Sequence, residues 1–470
     1  MTSNFKGANL MLLYIPWLTS LLFSGLPVVS YLIAWLGSFY IFYVTLTGTI
    51  KPIPSDLPFG NQLMRPLFLN QIIFAGYMCC TSIFFFLDSL GYVNFSTPAS
   101  NYFVDNYKLE LVAECQRYYC LGHAAFASGI IIFMKYPITH TNHIEKTDIA
   151  QLLLVTAVIS FPLTYLIKFL PGLSQFSIQL RSLSFIAGTL ALAFAIPLKK
   201  LANTVICGFL YISNVSSALL SGFKEPIIIS FVVLGVFLYP SYKKIVLAVF
   251  IPFIFLLFML LPTYNRTFRA VAWSGEASTE DASELALEAV TNKAFSDDED
   301  MSDWGFLTGR LSEIGMFTQF VASTPSNIDF YGLQLVEQSI EVIIPRVFWP
   351  DKPSTEELIM ERVYNAGVIN RHSIVSAKPP FVVDGYLSGG AIGVFLALFI
   401  YGAAAQLISL KAEKLFGGYL LGTALIYSGL FQIFWRGNSF EFLANSLFWS
   451  YITMLIISKI FRSLGIVKEI

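Results

Sequence analysis

The chain has 470 residues, 56% of them hydrophobic and only 13% charged, with a formal net charge of −1. Soluble globules normally carry about a quarter of their residues as charges, so this composition excludes an ordinary soluble enzyme, and the balanced charge without an Arg-rich face excludes a nucleic-acid binder. The five cysteines, Cys79, Cys80, Cys115, Cys120 and Cys207, form no CxxC pairs with histidines nearby, so neither a metal site nor a cofactor is expected.

From the start of the chain, one lysine precedes an apolar run far longer than the core of a cleavable signal, so the amino terminus is expected to be retained. A helix needs roughly 20 apolar residues to cross a hydrocarbon core about 30 Å thick. That length predicts twelve helices, at about 9–27, 28–47, 69–88, 117–134, 150–168, 182–198, 201–220, 227–241, 245–263, 386–409, 416–433 and 442–460. The expected fold is an all-α polytopic membrane protein: an N-terminal bundle over 1–263, a large loop over 264–385, and C-terminal helices with a tail over 386–470.

The connections carry a second signal. Lys51 and Arg65, Lys135 and Lys146, Lys199 and Lys200, Lys243 and Lys244, Lys411 and Lys414, and finally Lys459, Arg462 and Lys468 fall in every second connection and in the tail. By the positive-inside rule these segments and both termini are expected in the cytoplasm, with Lys168 and Arg181 the local exceptions. The loop over 264–385 is then extracytoplasmic, and its nine Lys or Arg against nineteen Asp or Glu give it a formal charge of −10.

Within that loop, Glu276 through Asp303 is acidic and reads as mobile or solvent-facing. Leu311 to Val321, Leu333 to Ile344 and Glu357 to Val363 have helical apolar spacing, and Ser354 with Glu357 predicts a capping box. These read as short interfacial helices lying on the bundle over a cavity. No GxxxxGK[ST] stretch is present, so ATP-driven chemistry has no support.

Asn327-Ile328-Asp329-Phe330 with Gly332, Ile344-Pro345, Trp349-Pro350-Asp351-Lys352-Pro353-Ser354, Asn370-Arg371-His372-Ser373 with Gly389-Gly390, and Arg436-Gly437 before Ser439-Phe440 follow one another through the second half. In these motifs and in its overall plan the chain resembles the Wzy-type polysaccharide polymerases, and within them the enterobacterial common antigen polymerases. The resemblance implies a GT-C-like membrane glycosyltransferase of the bacterial inner membrane. It would move a growing glycan from undecaprenyl pyrophosphate onto the next lipid-linked oligosaccharide at the periplasmic face. A flippase and a chain-length regulator are the partners it suggests. Where many such polymerases have an arginine after a Gly-Gly or Gly-Ser pair, this chain has Ser221-Gly222-Phe223-Lys224, which keeps a cation and loses the planar fork.

Pyrophosphate is a good leaving group whose developing charge needs fixed cations, best from guanidinium forks. Lys224, Arg266, Arg269, Arg310, Arg346, Arg371 and Arg436 all fall on the expected outer side, and Asp329, Trp349 and Lys352 belong to the family-like turns. For any single arginine the plain alternative is contact with lipid phosphate at the interface. Arg436, in a short turn between two apolar segments, is the leading phosphate ligand, with Lys224 analogous and Arg310 beside them in the catalytic set. His372 is the one histidine of four on that side, and imidazole can take a hydroxyl proton near neutral pH; Asp329, Glu313 and Asp384 are alternative bases. Trp304, Trp349, Tyr331, Phe381 and Tyr386 are candidates for stacking on sugar rings or for anchoring in the headgroup zone. A flippase of lipid-linked oligosaccharide, a glycan ligase using the same donor, and a non-catalytic scaffold are the competing readings.

Overall fold

The computed structural model describes residues 7–93, 95–96, 98–138, 142–144, 148–169, 176–220, 224–272, 278–294, 304–305, 307–311, 313–345, 348–349, 351–372 and 376–469. The described chain is mostly helical. A tight turn at Gly7–Tyr14 enters α1 (Ile15–Leu22), followed by α2 (Pro27–Leu46), α3 (Leu69–Ser89), α4 (Asn106–Phe133), α5 (Ile149–Lys168), α6 (Phe176–Ala195), α7 (Leu201–Leu219) and α8 (Lys224–Ala272). The loop contributes α9 (Thr279–Ala294), α10 (Ile314–Ser323), α11 (Gln334–Glu341) and α12 (Thr355–Asn365), and α13 (Phe381–Leu415), α14 (Leu420–Leu430) and α15 (Phe440–Ser463) complete the set.

Eight of these helices are long and apolar enough to cross a membrane, which makes the chain an all-α protein with the composition of a membrane-spanning one. A helix lies at each expected position, but α1, at 9–27, is too short to cross and α4, at 117–134, is not among the eight. The segments expected at 227–241 and 245–263 are two arms of α8, separated where Tyr242 leaves helical geometry. α4 starts near 106 and not near 117, because the Asp105 carboxylate accepts the Tyr107 backbone N–H at 3.0 Å and caps it. The acidic segment expected to be mobile or solvent-facing is helical over Thr279–Ala294, and the carboxylates of that helix are exposed.

The expected span at 416–433 is corrected more deeply. Helical geometry is lost at Phe431, so α14 rises only about 15 Å from Leu420, half of a hydrocarbon core. The chain then makes one short turn, Ile433–Arg436, inside the bundle before α15 begins.

α4 and α13 are the central pair. Gly129 and Gly402 sit where they cross, and a Cβ on either would run into the Phe399 or the Phe126 carbonyl oxygen. Bare glycine therefore lets the two backbones touch, which gains dispersion contacts that larger side chains would block.

The basic connections meet at one end of the bundle. Lys51 Nζ donates to the carbonyls of Ile131 (2.8 Å) and Met134 (2.6 Å), tying the foot of α2 to that of α4. Arg65 is buried and spends all its donors: Nη1 on Asp56 and Gln62, Nη2 on Asp56 and Glu413, and Nε on Glu413. Burial alone would raise the Asp56 carboxyl, but the Arg65 fork outweighs it and holds that carboxyl below its usual range. Lys200 pairs with Asp148, and β1 (Asn142–Ile144) pairs antiparallel with β2 (Val467–Glu469) at the tail. The loop helices pack at the opposite end.

Candidate functional site

α13 is a folded-back hairpin. Gly389 and Gly390 leave helical geometry, and Gly390 has φ +60, a conformation that costs a side-chain-bearing residue about 1–2 kcal/mol. Residues 381–388 then run antiparallel to 391–415. The rings of Phe381 and Tyr401 stand 4.8 Å apart, whereas in a straight helix their backbones would be separated by about 30 Å. A Cβ on Gly393 would run into the Gly385 carbonyl, so close approach of the two arms also requires glycine.

The foot of the short arm reaches the Arg436 turn. Phe381 N donates to the Gly437 carbonyl at 2.6 Å, and Tyr401 Oη donates to the Phe434 carbonyl at 2.7 Å. Tyr401 lies ten residues along the second arm from Ala391, so the turn sits about 15 Å below the tip of the hairpin, inside the bundle. Trp435 Nε1 donates to Asn70 Oδ1 at 3.2 Å, which fastens the turn to α3 as well.

Helix α12 completes the wall. Its start is the predicted capping box: Glu357 N donates to Ser354 Oγ (3.1 Å) and Ser354 N to Glu357 Oε2 (2.9 Å). Ile359, Met360, Arg362 and Val363 form its buried face. Arg362 Nη1 and Nη2 bond the two oxygens of Glu441 at 2.6 and 2.9 Å, and Nη2 also bonds Asp384 Oδ2 at 2.9 Å. The same Asp384 oxygen accepts the Phe440 N–H at 2.8 Å, capping α15.

All three charged side chains are buried, at 2% exposure for Arg362 and 0% for Asp384 and Glu441. Burial opposes the charge of Arg362, and the two carboxylates more than reverse this, holding its guanidinium more firmly protonated than usual. Among the described residues, Arg362 Nε, Asp384 Oδ1 and Ser439 Oγ have no hydrogen-bond partner. The cluster staples the loop helix α12 to the first turns of two apolar helices.

The residues expected to form a site are dispersed over several elements. Arg371 is exposed and spends its fork on Glu361 (2.9 and 2.5 Å) and Asn365 (3.0 Å), on the outer face of α12, which holds the Glu361 carboxyl below its usual range. His372 beside it is exposed, and its backbone N–H bonds Asn370 Oδ1 at 3.0 Å. Lys352 Nζ donates to the carbonyls of Val342 (2.9 Å) and Ile344 (2.6 Å), closing the end of α11.

Arg266 is exposed and Arg269 half-buried, both in the last turns of α8; Asp329 and Trp349 are exposed in the loop. Lys224 begins α8, Arg310 lies in the turn Leu307–Leu311 and Arg436 in Ile433–Arg436, with their side chains outside the described ones, while Arg346 and the Ser221–Phe223 turn lie wholly outside the described residues. Of the aromatic candidates, Trp304, Phe381 and Tyr386 are buried packing groups. Glu313 accepts the Tyr77 hydroxyl at 3.1 Å, and Asp384 belongs to the staple.

Sequence reasoning missed Arg362 and Glu441. Arg362 carried one signal, its place on the apolar face of α12. Lys378 was also passed over; it is exposed, with its ammonium 4.8 Å from the Phe442 ring.

Residues 15–469 match the model of a family described as a domain of unknown function (DUF8712). The chain belongs to that family. No curated protein and no solved structure matches it. The family's match runs from α1 to β2, so the hairpin, the Arg436 turn and the staple all lie within it.

Proposed function

We propose that the chain is a membrane glycosyltransferase that lengthens a glycan on its polyprenyl pyrophosphate carrier, a lipid-linked repeat-unit polymerase of the bacterial inner membrane. The observation that carries the reading is the Arg436 turn. A guanidinium-bearing turn is seated inside an apolar bundle, fixed by the Phe381–Gly437 and Tyr401–Phe434 hydrogen bonds. An arginine carried on a backbone turn at that depth calls for an anionic partner, and an anion borne by a lipid supplies one.

The basic end faces the cytoplasm and the loop end the periplasm by the charge rule. Arg436 takes the pyrophosphate, and Lys224 and Arg310 are the further cations of this proposal. The acceptor hydroxyl attacks the anomeric carbon; the bond from that carbon to the pyrophosphate oxygen breaks, and its electron pair leaves with the phosphate. The hydroxyl proton passes to His372, which stands exposed at the loop end. Arg362 and the Asp384 and Glu441 carboxylates hold the loop wall in place without meeting substrate.

The test is reconstitution of the purified protein with lipid-linked repeat units and no energy source. Longer glycans on the carrier are the expected product. Label crossing the bilayer without lengthening would instead identify a flippase, and transfer of the glycan to a different acceptor would identify a ligase.

A further inference from the structure

Two charged residues on α4 lie apart from everything used above. Glu114 and Arg117 are three positions apart, hence on one face of the helix, and both are half-buried. They form no ion pair with each other. Glu114 Oε1 accepts the Tyr118 hydroxyl at 2.9 Å, while Arg117 Nη1 donates to Ser30 Oγ of α2 at 2.9 Å, and that hydroxyl in turn donates to the Ser20 carbonyl at 2.8 Å. This is the single hydrogen bond of the Arg117 guanidinium among the described residues, although the group has five N–H donors.

Arg117 stands sixteen residues above Phe133, about 24 Å from the basic end and so within the outer part of a core about 30 Å thick. A guanidinium there is costly unless an anion meets it. Next to Ser30 begins an exposed apolar stripe down α2, formed by Val29, Leu32, Leu36, Phe39 and Tyr43 at helical spacing. On the other side the Tyr118 ring lies 4.9 Å from Tyr386, which lies 5.8 Å from the exposed Phe330. Cation, carboxylate and apolar stripe are thus laid out as headgroup and tail of one amphiphile.

The geometry points to a binding site for a hydroxyl-bearing lipid phosphate, with Arg117 on the phosphate, Glu114 on a hydroxyl and the α2 stripe along the tail. The site does not depend on the polymerase reading. The ligand is either a bilayer lipid with a polyol headgroup or a lipid-linked sugar phosphate, which share this chemistry.

The full chain, purified in detergent, is tested by native mass spectrometry for retention of phosphatidylglycerol beside phosphatidylmethanol, which has the same charge and lacks the free hydroxyls. Wild type should retain phosphatidylglycerol in excess. Arg117→Gln should lower retention of both lipids by roughly tenfold, the scale of one charge-assisted hydrogen bond, and Glu114→Gln should remove only the excess. Melting temperatures control for folding, and Ser30→Ala, which keeps the guanidinium but frees it from its anchor, should lower retention by a smaller factor. Displacement by added lipid-linked oligosaccharide assigns the site to the sugar lipid, and its failure to displace assigns the site to the bilayer headgroup. Equal retention by wild type and Arg117→Gln, or no preference of wild type for phosphatidylglycerol, overturns the site.

Discussion

Arg362 is held by two carboxylates that would be left buried and uncompensated without it. Breaking such a cluster from one side costs about 3–5 kcal/mol, whereas replacing every member by apolar groups of similar volume is near neutral or stabilising. Arg362→Ala should therefore lower the melting temperature of the purified protein sharply, and the triple change Arg362→Met, Asp384→Leu, Glu441→Leu should recover most of it. A triple variant as unstable as the single one would show that the cluster does more than staple α12. For Arg436 the proposed function makes a different prediction. Arg436→Ala should abolish glycan lengthening with the amount of folded protein unchanged, and Arg436→Lys should recover part, since an ammonium lacks the paired donors of the fork. Wild-type lengthening by Arg436→Ala would remove it from the mechanism. For His372, retained donor binding with turnover lowered roughly 100-fold in His372→Ala fits a proton acceptor; loss of donor binding as the sole defect would return it to a positioning role.

The α13 hairpin shows what a local pattern can and cannot reveal. Gly390 has φ +60, while Gly389 has φ 171, an extended value open to any residue, and open space where its Cβ would be. Gly390→Ala should cost about 1–2 kcal/mol of stability and Gly389→Ala much less; equal effects in a denaturation series would mean that the fold-back is not what Gly390 secures. The sequence displayed Gly389-Gly390, yet an apolar run on both sides reads equally as one straight span, because hydropathy has no sign for a reversal of direction. For the same reason 416–433 looked like a full crossing: its composition is apolar because it is buried in protein at half depth, and lipid is not needed to explain it. The capping box at Ser354 and Glu357 was legible because both partners lie within four residues. The Arg362 staple was not, since its partners are 22 and 79 residues away and only the packed fold brings them together.

At the scale of the whole molecule, charge sorts the connections into two groups, and the structure brings the basic group together at one end through Lys51, Arg65, Lys200 and the β1–β2 pairing. That sorting is a stronger constraint than any one connection, because flipping a single span would pull apart contacts that join four loops. The dense burial of Arg65, with its five donors spent, makes this end a fixed base. The opposite end, where α12 is stapled beside the Arg436 turn, is then the face from which a lipid-borne anion would be met. The charge rule predicts an orientation, with the basic end in the cytoplasm. Single cysteines at positions 352 and 146, in a background without the native ones, provide the measurement: four of the five native cysteines are buried and Cys80 is half-buried, so their removal changes little of the surface. A membrane-impermeant maleimide applied to intact cells should label position 352 and leave 146 unlabelled until the membrane is opened. Labelling of 146 from outside, with 352 protected, would invert the protein, place the Arg436 turn nearer the cytoplasm and end the case for a periplasmic reaction.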